Sequence, residues 1–276
     1  MKHFKTNFTL LMLFSMFCVQ PFLAQEPAPP EYLIVTTGHW DLDYEEGSVD
    51  DIKALELEWF EKVTMKNEYF INTNFLNHYF TADNSEVLFV TVYNTWEDIE
   101  KATKRTEELV EAAWPDETLR EEYFKKRNAY YEDRHSDEIY HILPNAKFME
   151  SVEGEEPESM VYYVRQSNIA WPDDGKEEEF KALRKEYVEN VVHKNPNVKA
   201  YYNYRHAWGA DNRQFTEVTV VSSLAHIESG FDETEKLIEA HWPVEAERKA
   251  FFKKYDRYFS GWHGDYIYRN MPELMK

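Results

Sequence analysis

Cysteine is all but missing from this 276-residue chain: Cys18 is the single one, and it lies in the N-terminal apolar stretch. Without a second thiol there is no CxxC pair, so disulfides, thiol catalysis and thiolate-ligated metal or haem are excluded for the chain that follows it. Glycine is sparse too, at 8 residues, and none falls in a G-x-G-x-x-G, P-loop or G-x-S-x-G arrangement. Nucleotide-dependent and serine-hydrolase chemistry therefore has no support. Positive charge is in deficit, with 31 Lys+Arg against 52 Asp+Glu and a net charge of −21. Such a surface repels nucleic acid and anionic lipid, which argues against both as partners. Long apolar runs are also missing: Leu10 to Cys18 is well short of the roughly 20 residues that span a bilayer.

What the N-terminus does have is the layout of a secretory signal. Lys2 and Lys5 supply the positive start, the apolar core follows, and Ala24 is a small residue at a cleavage position. The sequence thus predicts a signal peptide over 1–24, a Pro-rich leader over 25–31, and an exported protein, periplasmic or extracellular, with no membrane insertion after cleavage. Loss of Lys2 and Lys5 takes the net charge from −21 to −23. The mature chain must hold together by core burial alone, which two domains of roughly 120 residues can supply. Aromatic residues make up 16% of the chain, enough for large packed cores or an aromatic-lined pocket.

The remainder is a duplication. From His78 to Pro144 the chain aligns with His206 to Pro272 at a constant offset of 128, without a gap and with 27 of 67 positions identical. A period this long marks repeated domains rather than a solenoid. Repeat 1 is expected over 32–144, an acidic linker over 145–159, and repeat 2 over 160–276.

Within each copy the apolar spacing predicts the same elements. Tyr32 to Thr37 and Met160 to Gln166 read as buried strands. Ile52, Leu55, Trp59 and Val63 form a helical stripe that Phe180, Leu183, Tyr187 and Val191 repeat. A hairpin follows, turning at Ala82-Asp83-Asn84 and at Ala210-Asp211-Asn212. A second helix ends at Trp114 and Trp242, before prolines that open a third, aromatic helix at its first position. A short strand closes each copy, Glu138 to Ile142 and Tyr266 to Asn270.

This order, β-α-β-β-α-(α)-β, is the ferredoxin-like split arrangement with one extra helix. The fold class is α+β: two tandem ferredoxin-like repeats packing sheet to sheet as a pseudo-twofold pair. In element order and duplication the chain resembles the dimeric α/β-barrel superfamily, in which two ferredoxin-like units join their sheets into a barrel. The resemblance covers nearly the whole mature chain, and the third helix departs from it.

Candidate chemistry centres on His78 and His206, at equivalent strand positions on the more apolar face. Facing inward, each is a candidate general base; the alternative is a core imidazole held by one hydrogen bond. No HxH, HxxxH or HExxH spacing accompanies them, so no metal site is expected. Around His206, Tyr202, Tyr204, Arg205 and Trp208 make repeat 2 the more aromatic and basic neighbourhood, and Trp242 and Tyr258 are candidate walls of an apolar cavity, or core. His135 and His263, each followed by Asp two residues on, read as turn pairs, and Arg120 and Arg248 as partners of nearby glutamates.

The first functional expectation is an exported protein binding a small apolar or aromatic molecule between sheet and helices. The resemblance implies a second, a cofactor-independent oxygenase or isomerase with His206 or His78 as base. It implies a third, a haem-binding protein with histidine ligation, although the residues themselves predict no cofactor. A protein-interaction module is the fourth.

Overall fold

The computed structural model describes residues 29–149 and 158–276. The expected signal peptide and most of the acidic linker lie outside the described residues. Repeat 1 consists of β1 (Tyr32–His39), α1 (Val49–Lys62), β2 (Asn72–Phe80), β3 (Glu86–Tyr93), α2 (Trp96–Ala113), α3 (Glu117–Asn128) and β4 (Ser136–Ile142). Repeat 2 runs β5 (Val161–Ile169), α4 (Glu177–Tyr187), β6 (Ala200–Trp208), β7 (Gln214–Val221), α5 (Ala225–His241), α6 (Glu245–Asp256) and β8 (Phe259–Asn270).

Local chemistry accounts for the boundaries. Ser48 and Thr95 accept the backbone N–H of Asp51 and Asp98, capping α1 and α2. Pro115 does not open α3 as the spacing predicts. Asp116 stays extended and caps the helix by accepting the Leu119 N–H at 3.1 Å, so the proline sits ahead of the cap. In repeat 2, Val244 takes the same place and Pro243 again precedes it. The apolar stripe of α4 continues past Tyr187 through a π-turn, Val188–Val192, that buries Val191. Asp83 and Asp211 make the hairpin turns, each accepting the N–H two residues on. β8 begins at Phe259, earlier than expected. It stays paired to β5 out to Ile169, and Gly261, at φ +82, supplies the left-handed residue on the way.

Within repeat 1 the strands lie in the order β4-β1-β3-β2, and within repeat 2 β8-β5-β7-β6. Each sheet alone has two open edges, which are liabilities for aggregation. Here β2 pairs with β8 and β4 with β6, so both seams join the two repeats within one chain and the eight strands close into a barrel. The pairing extends beyond the strands. After β4, Leu143 N–H donates to Asn203 and Lys147 bridges Tyr201; after β8, Met271 N–H donates to Phe75 and Lys276 bridges Thr73. Each repeat's tail thus runs along the other's sheet. Lys147 Nζ donates to carbonyls near Asn195, and Lys276 Nζ does so at Thr64 and Asn67.

The helices cover the outside of the barrel. In repeat 2 the space between sheet and helices is filled by Phe180, Phe215, Trp242, Phe251 and Tyr258. In repeat 1 it is filled by Val63, Leu109, Trp114 and Tyr123. Under each sheet lies one buried ion pair with its polarity reversed. Glu56 of α1 meets Arg127 of α3, whereas Arg184, at the position equivalent to Glu56, meets Glu217 of β7. Buried Asn67 and Asn195 match as well, tying the chain to Ala102 and Thr106 of α2 and to Gly230 and Thr234 of α5. Among the described residues, no helix is long and apolar enough to cross a membrane.

Candidate functional site

Strand alternation gives each barrel strand one row of side chains toward the helices and one toward the axis. Phe75 and Phe215 belong to the helix-side rows and are buried there. The axial rows of both repeats form one buried cluster around a lumen that, with its mouth, measures about 1810 Å³. Its wall is mostly apolar, with aliphatic side chains such as Leu33, Leu76, Leu88, Val90, Val164 and Val218 interleaved with tyrosines. The pocket expected between sheet and helices is therefore not where the open space lies, because aromatic side chains fill that layer.

Polar groups interrupt the wall towards one end. Glu86 accepts a hydrogen bond from the Tyr268 phenol and Glu138 from the Tyr140 phenol. Tyr140 also lies 2.8 Å from Gln214, the counterpart of Glu86. One phenol proton serves one acceptor, so a donation to Glu138 favours the Gln214 amide with its NH₂ turned to Tyr140. Tyr204 stacks edge-on against Tyr140, with centroids 4.9 Å apart. Burial, reinforced by the neighbouring carboxylates, pushes the Tyr140 and Tyr268 phenols far above their ordinary range. Both are neutral donors at any physiological pH.

Two lumen atoms lack partners. Asn74 Nδ2 donates to Tyr162 at 2.7 Å, but its Oδ1 is buried and unpaired. The hydroxyl of Thr216, a residue 1% exposed, is also unpaired. Buried polar groups are normally satisfied, so these two mark places where an occupant of the lumen finds hydrogen bonds. At the opposite mouth the lining includes Lys147, Lys199 and Lys276.

The sequence-predicted residues divide. Tyr202 and Tyr204 line the lumen. Trp242 and Tyr258 are core instead: Tyr258 is 0% exposed and packs in the helix-side aromatic layer with Trp242. Arg205 pairs with Glu177 of α4, and Trp208 is 70% exposed. His206 sits opposite Tyr140 and His78 opposite Tyr268, and a β-bulge follows each histidine, at Ala207 and Tyr79. His78 Nδ1 is 2.7 Å from Thr81 Oγ1, whereas His206 Nε2 is buried without a partner. Neither imidazole borders the lumen; His78 faces a shallow hollow at the rim with Phe80 and Tyr266. His135 and His263 are exposed, each 3.4 Å from its Asp, but not in turns: His263 and Asp265 are both strand residues of β8, and Asp137 belongs to β4. Arg120 and Arg248 donate to the carbonyls of Trp114 and Trp242 and so close the bend between helices. Sequence reasoning missed Glu86, Glu138, Tyr140, Tyr268 and Thr216.

No histidine lines the lumen among the described residues, so a haem held there would lack a histidine ligand. The sheet-to-helix layer of repeat 2 is packed with aromatics, and His206 Nε2 is buried without a partner. Among the described residues, no three His, Cys, Asp or Glu side chains cluster as metal ligands.

No protein-family model matches the sequence, and comparison with curated proteins finds no match. Solved structures do match in shape over almost the whole chain. A protein classed by its name as a monooxygenase, from Fusobacterium nucleatum subsp. nucleatum, superposes with a TM-score of 0.52 at 11% identity, covering 90% of this chain and 95% of that one. An anthrone oxidase-like protein gives 0.51 at 11% identity, with coverage of 91% and 94%. A mutant chlorite dismutase from Candidatus Nitrospira defluvii gives 0.51 at 12% identity, with coverage of 88% and 92%. At these identities the likeness concerns the fold, and the fold is that of the dimeric α/β barrels, completed here by one chain.

Proposed function

We propose that this is an exported small-molecule binding protein whose site is the barrel lumen, taking one largely apolar organic molecule. The observation that carries the reading is a mostly apolar cavity of about 1810 Å³ in which Asn74 Oδ1 and Thr216 Oγ1 are buried and unpaired. Mostly apolar walls with a few placed polar groups are the usual make-up of ligand sites. Fluorescence titration with the neutral probe N-phenyl-1-naphthylamine tests it. One probe per chain is expected, lost in Leu88→Trp and Val218→Trp, which fill the lumen, and kept in the exposed Trp208→Ala. Binding unchanged by both filling substitutions, in variants that still melt cooperatively, refutes the reading. Export rests on the N-terminal sequence; a secreted form beginning after Ala24 is the result that supports it.

A second reading is a cofactor-independent oxygenase or isomerase with His206 as general base. It is favoured at fold level by likeness to proteins named for oxidase and monooxygenase activity, and it requires the enclosed His206 Nε2 to open to substrate. Oxygen uptake with anthrone, abolished in His206→Ala and retained in His78→Ala, is the expected sign; no uptake with such electron-rich aromatics removes this reading.

A further inference from the structure

The lumen carries negative charge where an apolar cavity has least reason to. Glu86 and Glu138 both line it, on strands flanking β1, and each receives a tyrosine phenol. Among the described residues, neither carboxylate forms an ion pair. A carboxylate has about four lone-pair positions, and one phenol leaves most of them open. Both residues are half-buried, and the positions left open are available to a positively charged guest.

Three further observations describe that guest. Tyr140, Tyr204, Tyr266 and Tyr268 line the lumen along with the two carboxylates, and aromatic faces attract organic cations. The Thr216 hydroxyl is 1% exposed, unpaired and on the lumen wall two residues from Gln214, which Tyr140 touches. The lysines of the lining lie at the other mouth: Lys147 and Lys276 run along the starting ends of β6 and β2, whereas Tyr268 pairs near the far end of β2. That mouth also holds Glu31 and Glu158, so its charges offset one another, whereas Glu86 and Glu138 at the far end have no cation beside them among the described residues.

Building on the lumen-binding reading, we propose that the ligand is an organic cation: an amine or quaternary ammonium whose head sits between Glu86, Glu138 and the tyrosine faces, with its apolar body along Leu88, Val90 and Val218. Its charge neutralises the two carboxylates, and the Thr216 hydroxyl takes a polar contact beside the head.

Displacement of bound N-phenyl-1-naphthylamine by decyltrimethylammonium, decanol and decanoate, each below its micellar concentration, tests the class. The ammonium is expected to displace the probe at least about tenfold more effectively than decanol, and decanoate less effectively than either. Glu86→Gln with Glu138→Gln reduces that preference to within about threefold while decanol is unaffected; Glu245→Gln, exposed and paired with Lys249, leaves the preference intact. Equal displacement by decanol and the ammonium in the native protein overturns the cation. So does a preference that survives the double substitution, which traces it to the acidic surface. Both results leave lumen binding standing. Failure of all three to displace the probe, together with probe binding that ignores Leu88→Trp, overturns the lumen itself.

Discussion

Replacing Arg184 by methionine is the most informative test of how repeat 2 is held together. Arg184 is 4% exposed; it donates to Glu217 Oε1 at 2.8 Å, meets the phenols of Tyr201 and Tyr255, and lies 4.9 Å over the Phe215 ring. Methionine keeps most of the stem's packing and removes the charge, which strands Glu217 with the Tyr201 hydroxyl as its remaining donor. Breaking one side of a buried pair costs about 3–5 kcal/mol. For a chain of this size that is a fall of about 6–20 °C in Tm. Burial by itself pushes the Glu217 carboxyl up, but Arg184 and the Tyr201 hydrogen bond outweigh it and hold it below the ordinary carboxylate range. The pair's contribution is therefore complete above the ordinary glutamate value and is lost as pH falls through the lowered one. In Arg184→Met only the Tyr201 hydroxyl and Arg165 remain to oppose the effect of burial on Glu217, so the gap to the native protein is widest at neutral pH and narrows in acid. Urea unfolding followed by tryptophan fluorescence, at neutral pH and at about pH 4, measures this. The double variant Arg184→Met with Glu217→Leu leaves no stranded charge and should cost less than the two single changes added together. A single-variant cost under about 1 kcal/mol, a gap independent of pH, or a double cost equal to the sum refutes the reasoning.

Two other predictions concern groups outside that pair. Asn67→Ala and Asn195→Ala each remove two hydrogen bonds beneath a helix and should cost about 1–3 kcal/mol, with faster amide exchange in α2 and α5 respectively; unchanged exchange would show that the amides do not tie those helices. On alkaline titration, Tyr162, pushed up to about 12 chiefly by burial, and the more strongly raised Tyr140, Tyr204 and Tyr268 should stay neutral while the chain is folded. Their unfolded forms ionise near 10, so stability is intact below that value and falls as pH rises above it; near-ultraviolet phenolate absorbance should appear for them together with unfolding, and a smooth single titration of all tyrosines speaks against the burial.

Local pattern was legible wherever one element decided it. The helical stripe of Ile52 to Val63 and the hairpin turns at Asp83 and Asp211 follow from spacing and side-chain chemistry, and the structure has them there. Closure of the barrel was legible only through resemblance, because β2–β8 and β4–β6 are pairings between residues far apart in sequence. The lumen was hardest to foresee. Trp242 and Tyr258 repeat across the duplication as conspicuously as any ligand wall, yet repetition is equally the mark of core, and both are core. The signal for the lumen was quieter: a glutamate opening an otherwise apolar run at Glu86 to Tyr93, and Glu138 two residues before Tyr140 on one face of β4. Only the three-dimensional register shows that these rows converge on the axis.

The joining of both halves in one polypeptide has a consequence for what the barrel can hold. Two identical subunits would have to present every lumen side chain twice about the axis. Here Glu86 faces its counterpart Gln214, Leu76 its counterpart Tyr204, and Glu138 its counterpart Tyr266, so the two halves of the wall differ in charge and shape. A guest in such a space has no degenerate, flipped pose to populate. One covalent connection between the repeats thus turns a chamber that would bind in two equivalent orientations into one with a defined head and tail.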